Sequence, residues 1–340
     1  MKMVRVKMER GLGVRSSCGN VTTPLFRLLL PLMLLLAATA AAEAATRDQL
    51  RRAIRQDLLE RINHDRLQLA LPPVALDLPL SRFADAHCER QIAEGTMGHF
   101  TLDGIPPYAR YSQAGATAGV AENAVAWSAP YVFTQPAILD VARRSHEAMI
   151  AETPPRDSHR RAILDPWATH VAIGSAWHRG EIRLIQVFLR RHIDWTTPPP
   201  ATATSGSRVQ ASGKTAPGWT IDRVTLHHEA LSGLTRDQAN RIESYSLPEP
   251  SRLLPFRQSE RFQRPPTVSD WARAAGSGDV SIEADGGFSL RTVLSDGPGI
   301  YTLVVWLRRP GLKSAVEGSH VSTIVLPSAG GSHAIAGGAP

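Results

Sequence analysis

Apolar residues recur every four positions at Leu50, Ile54, Leu58 and Ile62, drawing one stripe along a helix. Thr46, with Gln49 three residues later, reads as a capping box that opens this helix, and Leu71-Pro72-Pro73 ends it. A second helix is expected from about Leu80, with Phe83, Ala84, His87, Cys88, Gln91 and Ile92 on one face. His87 there reads as a satisfied histidine at the edge of a core. Residues 95–136 dissolve into Gly, Pro, Tyr and Ala, with a turn at 104–108 and room for a strand at 120–127. An irregular stretch of that length in a compact domain is usually functional. A third helix is predicted over 137–152, its inner face carrying Ile138, Val141, Ala142, Ser145 and Met149. Glu152 falls in the same arc, and a carboxylate there is costly unless something pairs with it. A short helix follows, with Ser158 as its cap.

The period then changes. Residues 171–176 and 184–189 read as two strands joined by a turn at His178-Arg179-Gly180, and Trp195 closes this part of the chain. Helices followed by a hairpin suit helices stacked on a small antiparallel sheet, an α+β arrangement. Residues 196–218, rich in Pro, Thr, Ser and Gly, read as an exposed linker. Alternation with period two returns at 219–226, 280–284, 288–294 and 300–307, with Asp-Gly turns at Asp285-Gly286 and Asp296-Gly297. This predicts a smaller all-β, sandwich-like domain over 219–327. Residues 248–266 read as a long loop, and 328–340 as a disordered Gly/Ala/Ser tail.

Charge changes the picture only at the start. The chain has 340 residues and a formal net charge of +7. Residues 1–42 hold Lys2, Arg5, Lys7, Arg10, Arg15 and Arg27 against Glu9 alone, so most of the excess is local and a nucleic-acid-binding face is not indicated. A basic start, an apolar run over 28–38 and small residues at 40–42 form the layout of a signal peptide, cleaved near Ala42 or Ala44. The expected location is secreted or periplasmic. The apolar run is short for a bilayer, so no permanent span is expected after cleavage. Of two cysteines, Cys18 lies in the leader, so Cys88 is left as a buried thiol without an intramolecular disulfide.

No G-x-S-x-G elbow, phosphate-cradling Gly loop or C-x-x-C occurs. His146-Glu147 and His228-Glu229 each begin an H-E-x-x-H pattern and lack its second His. Four short blocks remain: Gly98-His99-Phe100, Ala121-Glu122-Asn123, Met149 through Glu152, and Ser158-His159-Arg160. Two neutral imidazoles facing two carboxylates can hold a divalent cation or an ordered water. The alternative is that these residues pin loops through buried hydrogen bonds.

Read together, these blocks resemble the CAP superfamily of cysteine-rich secretory proteins, antigen-5 allergens, plant pathogenesis-related proteins and bacterial relatives. The matching text is Ile62-Asn63-His64-Asp65-Arg66, Leu71-Pro72-Pro73-Val74-Ala75-Leu76-Asp77, Gly98-His99-Phe100, Glu122-Asn123, Ser158-His159-Arg160 with Ile163-Leu164, Val171-Ala172-Ile173-Gly174 and Gln186-Val187-Phe188. It covers roughly residues 48–193, within an expected domain over 46–195. The resemblance implies an α-β-α sandwich whose cleft carries His99, Glu122, Glu152 and His159. His99 and His159 would be ligands of a weak zinc or other divalent-cation site, with Glu122 and Glu152 as outer or water-mediated partners. Where the family usually has an aromatic, three residues before Glu152, this chain has Met149. The chain is of the disulfide-free type common among bacterial relatives. The expected function is binding of a lipid, a peptide or a cell-envelope component. The alternatives are a metal-assisted peptidase or esterase with Glu122 or Glu152 as general base, and an envelope component working through its β-domain.

Overall fold

Helix α1, Thr23–Gln68, carries the Leu50, Ile54, Leu58 and Ile62 stripe into the interior, where all four are buried. This computed structural model describes residues 23–256 and 279–327. The basic start of the leader, the 328–340 tail and the later part of the expected 248–266 loop lie outside the described residues. The chain divides into two compact units between Gln49 and Leu50, and every strand belongs to the second. The expected cap at Thr46 is not formed. The helix begins upstream, and the Thr46 hydroxyl donates back to the Ala42 carbonyl at 2.9 Å, as hydroxyls inside helices do. Among the described residues no helix is long and apolar enough to cross a membrane.

The first half of this second unit is a four-stranded sheet between two helical layers. Its strands are β1 (Ala75–Leu76), β2 (Gly119–Ser128), β3 (His170–His178) and β4 (Glu181–Arg190), in the order β1-β3-β4-β2. β1 runs parallel to β3 and the other pairs are antiparallel, so β2 is an edge. Helices α4 (Gln135–Ile150) and α5 (Ser158–Ile163) join α1 on one face, around Leu58, Ile62, Val141, Met149, Ile163, Ile173 and Phe188. Helices α2 (Leu78–Glu94) and α3 (Pro107–Gln113) cover the other, around Ala84, Cys88, Tyr111, Val120, Ala172 and Val187. Each fully buried aliphatic side chain contributes about 1.5–3 kcal/mol, so α1 and the central strands are where most of the apolar stabilisation lies. Gly174 is needed where α2 crosses β3: a Cβ there would stand 2.4 Å from that of Ala84. Cys88 is buried and free, as expected.

The second half holds two sheets. One has the order β10-β11-β7-β5, with β5 Ile193–Thr197, β7 Arg208–Thr215, β10 Asp279–Ile282 and β11 Gly287–Val293. The other is β6-β13-β12-β8-β9, with β6 Thr202–Thr204, β8 Thr220–Glu229, β9 Pro250–Leu254, β12 Gly299–Arg308 and β13 Val316–Leu326. Their facing residues, including Val209, Leu226, Phe288, Leu303 and Val325, share one core. The whole is α+β with a β-rich C-terminal part.

The linker reading of residues 196–218 is corrected. Most of them are strand, and Val209 and Ala211 of β7 are buried. In β7 buried Val209, Ala211, Gly213 and Thr215 alternate with Arg208, Gln210, Ser212 and Lys214, so the composition of a linker conceals a half-buried strand. Trp195 does not close the first half either: it lies in β5, beside Phe288 at 5.3 Å between ring centres. Part of the 248–266 loop is β9.

The two halves meet through polar groups. The Ser319 hydroxyl donates to the Thr117 carbonyl at 2.5 Å, the His320 amide donates to Ala118 O at 3.1 Å, and the Ser322 amide donates to Ser112 Oγ at 3.0 Å. This face of β13 is therefore buried although it carries Ser and His. A short helix, α6 (Arg236–Arg241), precedes β9; its N-terminus is closed by a Thr235/Gln238 capping box.

Candidate functional site

Edge strand β2 carries Glu122 and Asn123 side by side, and neighbouring residues of a strand face opposite sides of the sheet. Glu122 faces α2 and α3. His99 lies on the loop between those helices, its carbonyl accepting from Arg110 Nη1 at 2.6 Å and the preceding Gly98 carbonyl accepting from Gln91 Nε2 at 2.7 Å. Nδ1 of His99 is 3.0 Å from Glu122 Oε1. The other oxygen, Oε2, accepts from Arg110 Nη2 at 2.5 Å and from the Tyr111 hydroxyl at 2.9 Å.

The Glu122 side chain is wholly buried, with 0% exposure, and that of His99 is 7% exposed. Burial alone would raise the Glu122 carboxyl. The Arg110 charge and the His99 hydrogen bond outweigh it and hold the group down to about 2. Burial and the Glu122 charge push the Tyr111 hydroxyl well above its usual range. An ionised Glu122 accepts only, so Nδ1 of His99 is the donor and Nε2 is the ring atom turned away from the carboxylate.

Asn123 faces the other side, where its amide donates to the His159 carbonyl at 3.1 Å. His159, the second residue of α5, places Nδ1 2.5 Å from Glu152 Oε1. Glu152 lies beyond the end of α4, not on its inner arc as expected, because the helix stops at Ile150. From there its Oε2 accepts from the amides of His159 at 3.0 Å and Arg160 at 3.4 Å. Glu152 thus caps α5 in place of Ser158, and no side-chain cap comes from Asp157. This pair is open, with the His159 side chain 32% and Glu152 24% exposed.

The four predicted residues therefore form two imidazole–carboxylate pairs, each tied to one side of the same edge strand. Each imidazole has the orienting carboxylate that metal-binding histidines usually have. Nε2 of His99 and Nε2 of His159 are ligand atoms of the kind zinc accepts. Among the described residues, however, no three His, Cys, Asp or Glu gather to hold one ion. The charge beside Glu122 is already supplied by Arg110. The donor set does not fit a centre with three or four protein ligands.

Several residues of this region have no signal in the sequence. Arg110 and Tyr111 lie in the stretch without periodicity, which contains α3. Tyr245, from the β-rich half, has its ring centre 4.8 Å from that of His99, edge to face, and its hydroxyl oxygen accepts from the Glu122 amide at 2.6 Å. His87 is buried but not satisfied: among the described residues Nε2 has no hydrogen-bond partner. Burial, with the Arg110 charge, pushes it down to about 3, so it is neutral. His146, start of one incomplete H-E-x-x-H, is buried 2.7 Å from Asp65 Oδ2.

Other matching blocks build the frame. The Asn63 side chain accepts from the Val74 amide at 2.8 Å and donates to its carbonyl at 3.0 Å. Arg66, fully buried, donates to the carbonyls of Ile163, Asp165 and Ala168 and so holds the end of α5 against α1.

No curated protein matches. Among solved structures, an extracellular protein containing a SCP domain from Bacillus anthracis str. Ames is similar at 16% identity with a TM-score of 0.29, over 40% of each chain. The present chain thus spans well under half of that protein. Murine CRIg is similar at 17% identity with a TM-score of 0.24, over 40% of this chain and 98% of that one. Residues 59–188 match the family model described as CAP, the Cysteine-rich secretory protein family, so this part of the chain is a CAP domain.

Proposed function

We propose that this chain is a CAP protein of extracellular type that works by binding and not by hydrolysis. Its cleft takes a lipid, peptide or cell-envelope ligand, and zinc or a similar cation is held weakly through Nε2 of His99 and His159. One observation carries the preference for binding: Glu122 is buried and fully engaged by its own neighbours, and Glu152 is tied to the His159 ring and the start of α5. A general base needs a free lone pair facing water and a pKa near the working pH. Glu122 gives its oxygens to His99, Arg110 and Tyr111 and is held down to about 2, which makes it a poor base. Glu152 gives its oxygens to the His159 ring and to two backbone amides. What these carboxylates supply is orientation of the imidazoles.

Calorimetric titration of zinc into wild type and His99→Ala/His159→Ala tests the cation reading; heat of binding in the first and none in the second is expected. A panel of peptides and esters should show no turnover above that of the double variant. Turnover abolished by a chelator and restored by zinc would replace this reading with a hydrolase.

A further inference from the structure

Residues 242–248, between α6 and β9, cross the first half beside His99. The segment is fastened at both ends. Upstream, the Asn240 side chain accepts from the Met97 amide at 2.8 Å and donates to the Gly95 carbonyl at 3.3 Å. Downstream, the Pro248 carbonyl is 2.7 Å from His227 Nδ1. Between these anchors, residues 243–247 make no backbone-to-backbone hydrogen bond among the described residues. They are held by side chains. Tyr245 and Leu247 pack with Tyr108, Ala109 and Ile300, while Glu243, Ser244 and Ser246 are exposed. The Tyr245 ring covers His99, and its hydroxyl oxygen accepts from the Glu122 amide.

A segment anchored at its ends and held in the middle by two side chains has the build of a bound peptide. Few backbone bonds also place it at the low end of local stability. We propose that residues 242–248 are a strap occupying, in cis, a groove for an extended peptide with a tyrosine at its centre, and that the closed strap shields His99. This rests on the binding reading and deepens it by naming a ligand chemistry. It also accounts for the asymmetry of the two pairs: His159 is open, and His99 is closed by Tyr245. A competing peptide binds only the fraction of molecules whose strap is lifted, so its apparent affinity falls by that fraction.

The test uses the full chain and a synthetic peptide of residues 242–248, IESYSLP. Tyr245→Ala should bind this peptide about tenfold or more tightly than wild type does. A version of the peptide with alanine for tyrosine should not bind. Diethyl pyrocarbonate should modify His99 faster in Tyr245→Ala than in wild type, with His159 unchanged, as followed by mass spectrometry. A cooperatively folded Tyr245→Ala with no peptide binding and an unaltered His99 rate would overturn the strap. If that variant does not fold, Glu243→Gly/Ser244→Gly loosens the segment at exposed positions and should speed His99 modification; an equal rate overturns the proposal in the same way. Zinc titration of the same variants separates the strap from the cation, since loss of zinc binding with peptide binding intact removes only the cation.

Discussion

Arg110 stands against Glu122 in the interior of the first half, Nη2 to Oε2 at 2.5 Å, with side-chain exposures of 6% and 0%. The same guanidinium donates to the His99 carbonyl, so one cation fixes the carboxylate and the loop that carries the imidazole. In the cleft of this protein the permanent positive charge next to Glu122 belongs to the chain itself.

Removing one partner of a buried pair leaves the other charge without compensation, whereas replacing both by apolar groups can be close to neutral. Arg110→Met should therefore lower unfolding stability by about 3–5 kcal/mol, and Arg110→Met/Glu122→Met should recover a large part of it. Urea denaturation of the three proteins checks this. Equal losses in the single and double variants would show that the ion pair is not the source.

Acid should weaken the fold in two steps. His87 is held down to about 3 from its ordinary 6.5, so the unfolded chain binds the extra proton between those values and stability falls as pH drops below about 6.5. Glu122 is held down to about 2 from 4.5, so its contribution is present above 4.5 and lost as pH falls toward 2. The Glu122 step is on the order of 3 kcal/mol. Thermal melts of wild type and His87→Gln between pH 7 and 4 should differ in slope, the variant lacking the shallower first decline.

Glu152 joins the start of α5 to the His159 ring. Glu152→Ala should cost about 0.5–2 kcal/mol, the range of a lost helix cap. Amide exchange at His159 and Arg160 should quicken, because these are the groups it accepts from. Glu152→Gln, which keeps an acceptor, should fall between the two. Unchanged exchange in the alanine variant would contradict this role.

Gly104 marks the place where the strap-bearing segment approaches the His99 loop. Its φ is +79°, and a Cβ would stand 2.1 Å from the Ser232 carbonyl oxygen. Gly115 has φ +86° with open space around it. Gly115→Ala should cost about 1–2 kcal/mol from the left-handed backbone alone. Gly104→Ala should cost more, because backbone must also move. Chemical denaturation of both variants compares them directly.

The helices are legible wherever a period of four runs along an apolar face, as at Leu50, Ile54, Leu58 and Ile62, and the hairpin of β3 and β4 is legible because two short, mostly apolar runs meet a turn. Boundaries are less so. Glu152 fits the arc of α4 by spacing, yet the helix ends two residues earlier and the carboxylate turns to cap its neighbour. β7 is hidden because its inward positions include Gly213 and Thr215 beside only two apolar residues, Val209 and Ala211, which gives the strand the composition of a linker. β13 has no apolar alternation to mark it, since Ser319, His320 and Ser322 are polar groups buried against the other half.

For this protein, the apolar stripes of its longer helices, its CAP-type blocks and the presence of two imidazoles and two acids in them lie in the linear chain, because periodicity and short motifs act between near neighbours. Only tertiary structure decided which oxygens remain free, that Arg110 neutralises Glu122, and that Tyr245 covers His99. Those outcomes depend on contacts between residues far apart in the chain, brought together by sheet register and by the docking of β13 on α3, and no local pattern encodes them.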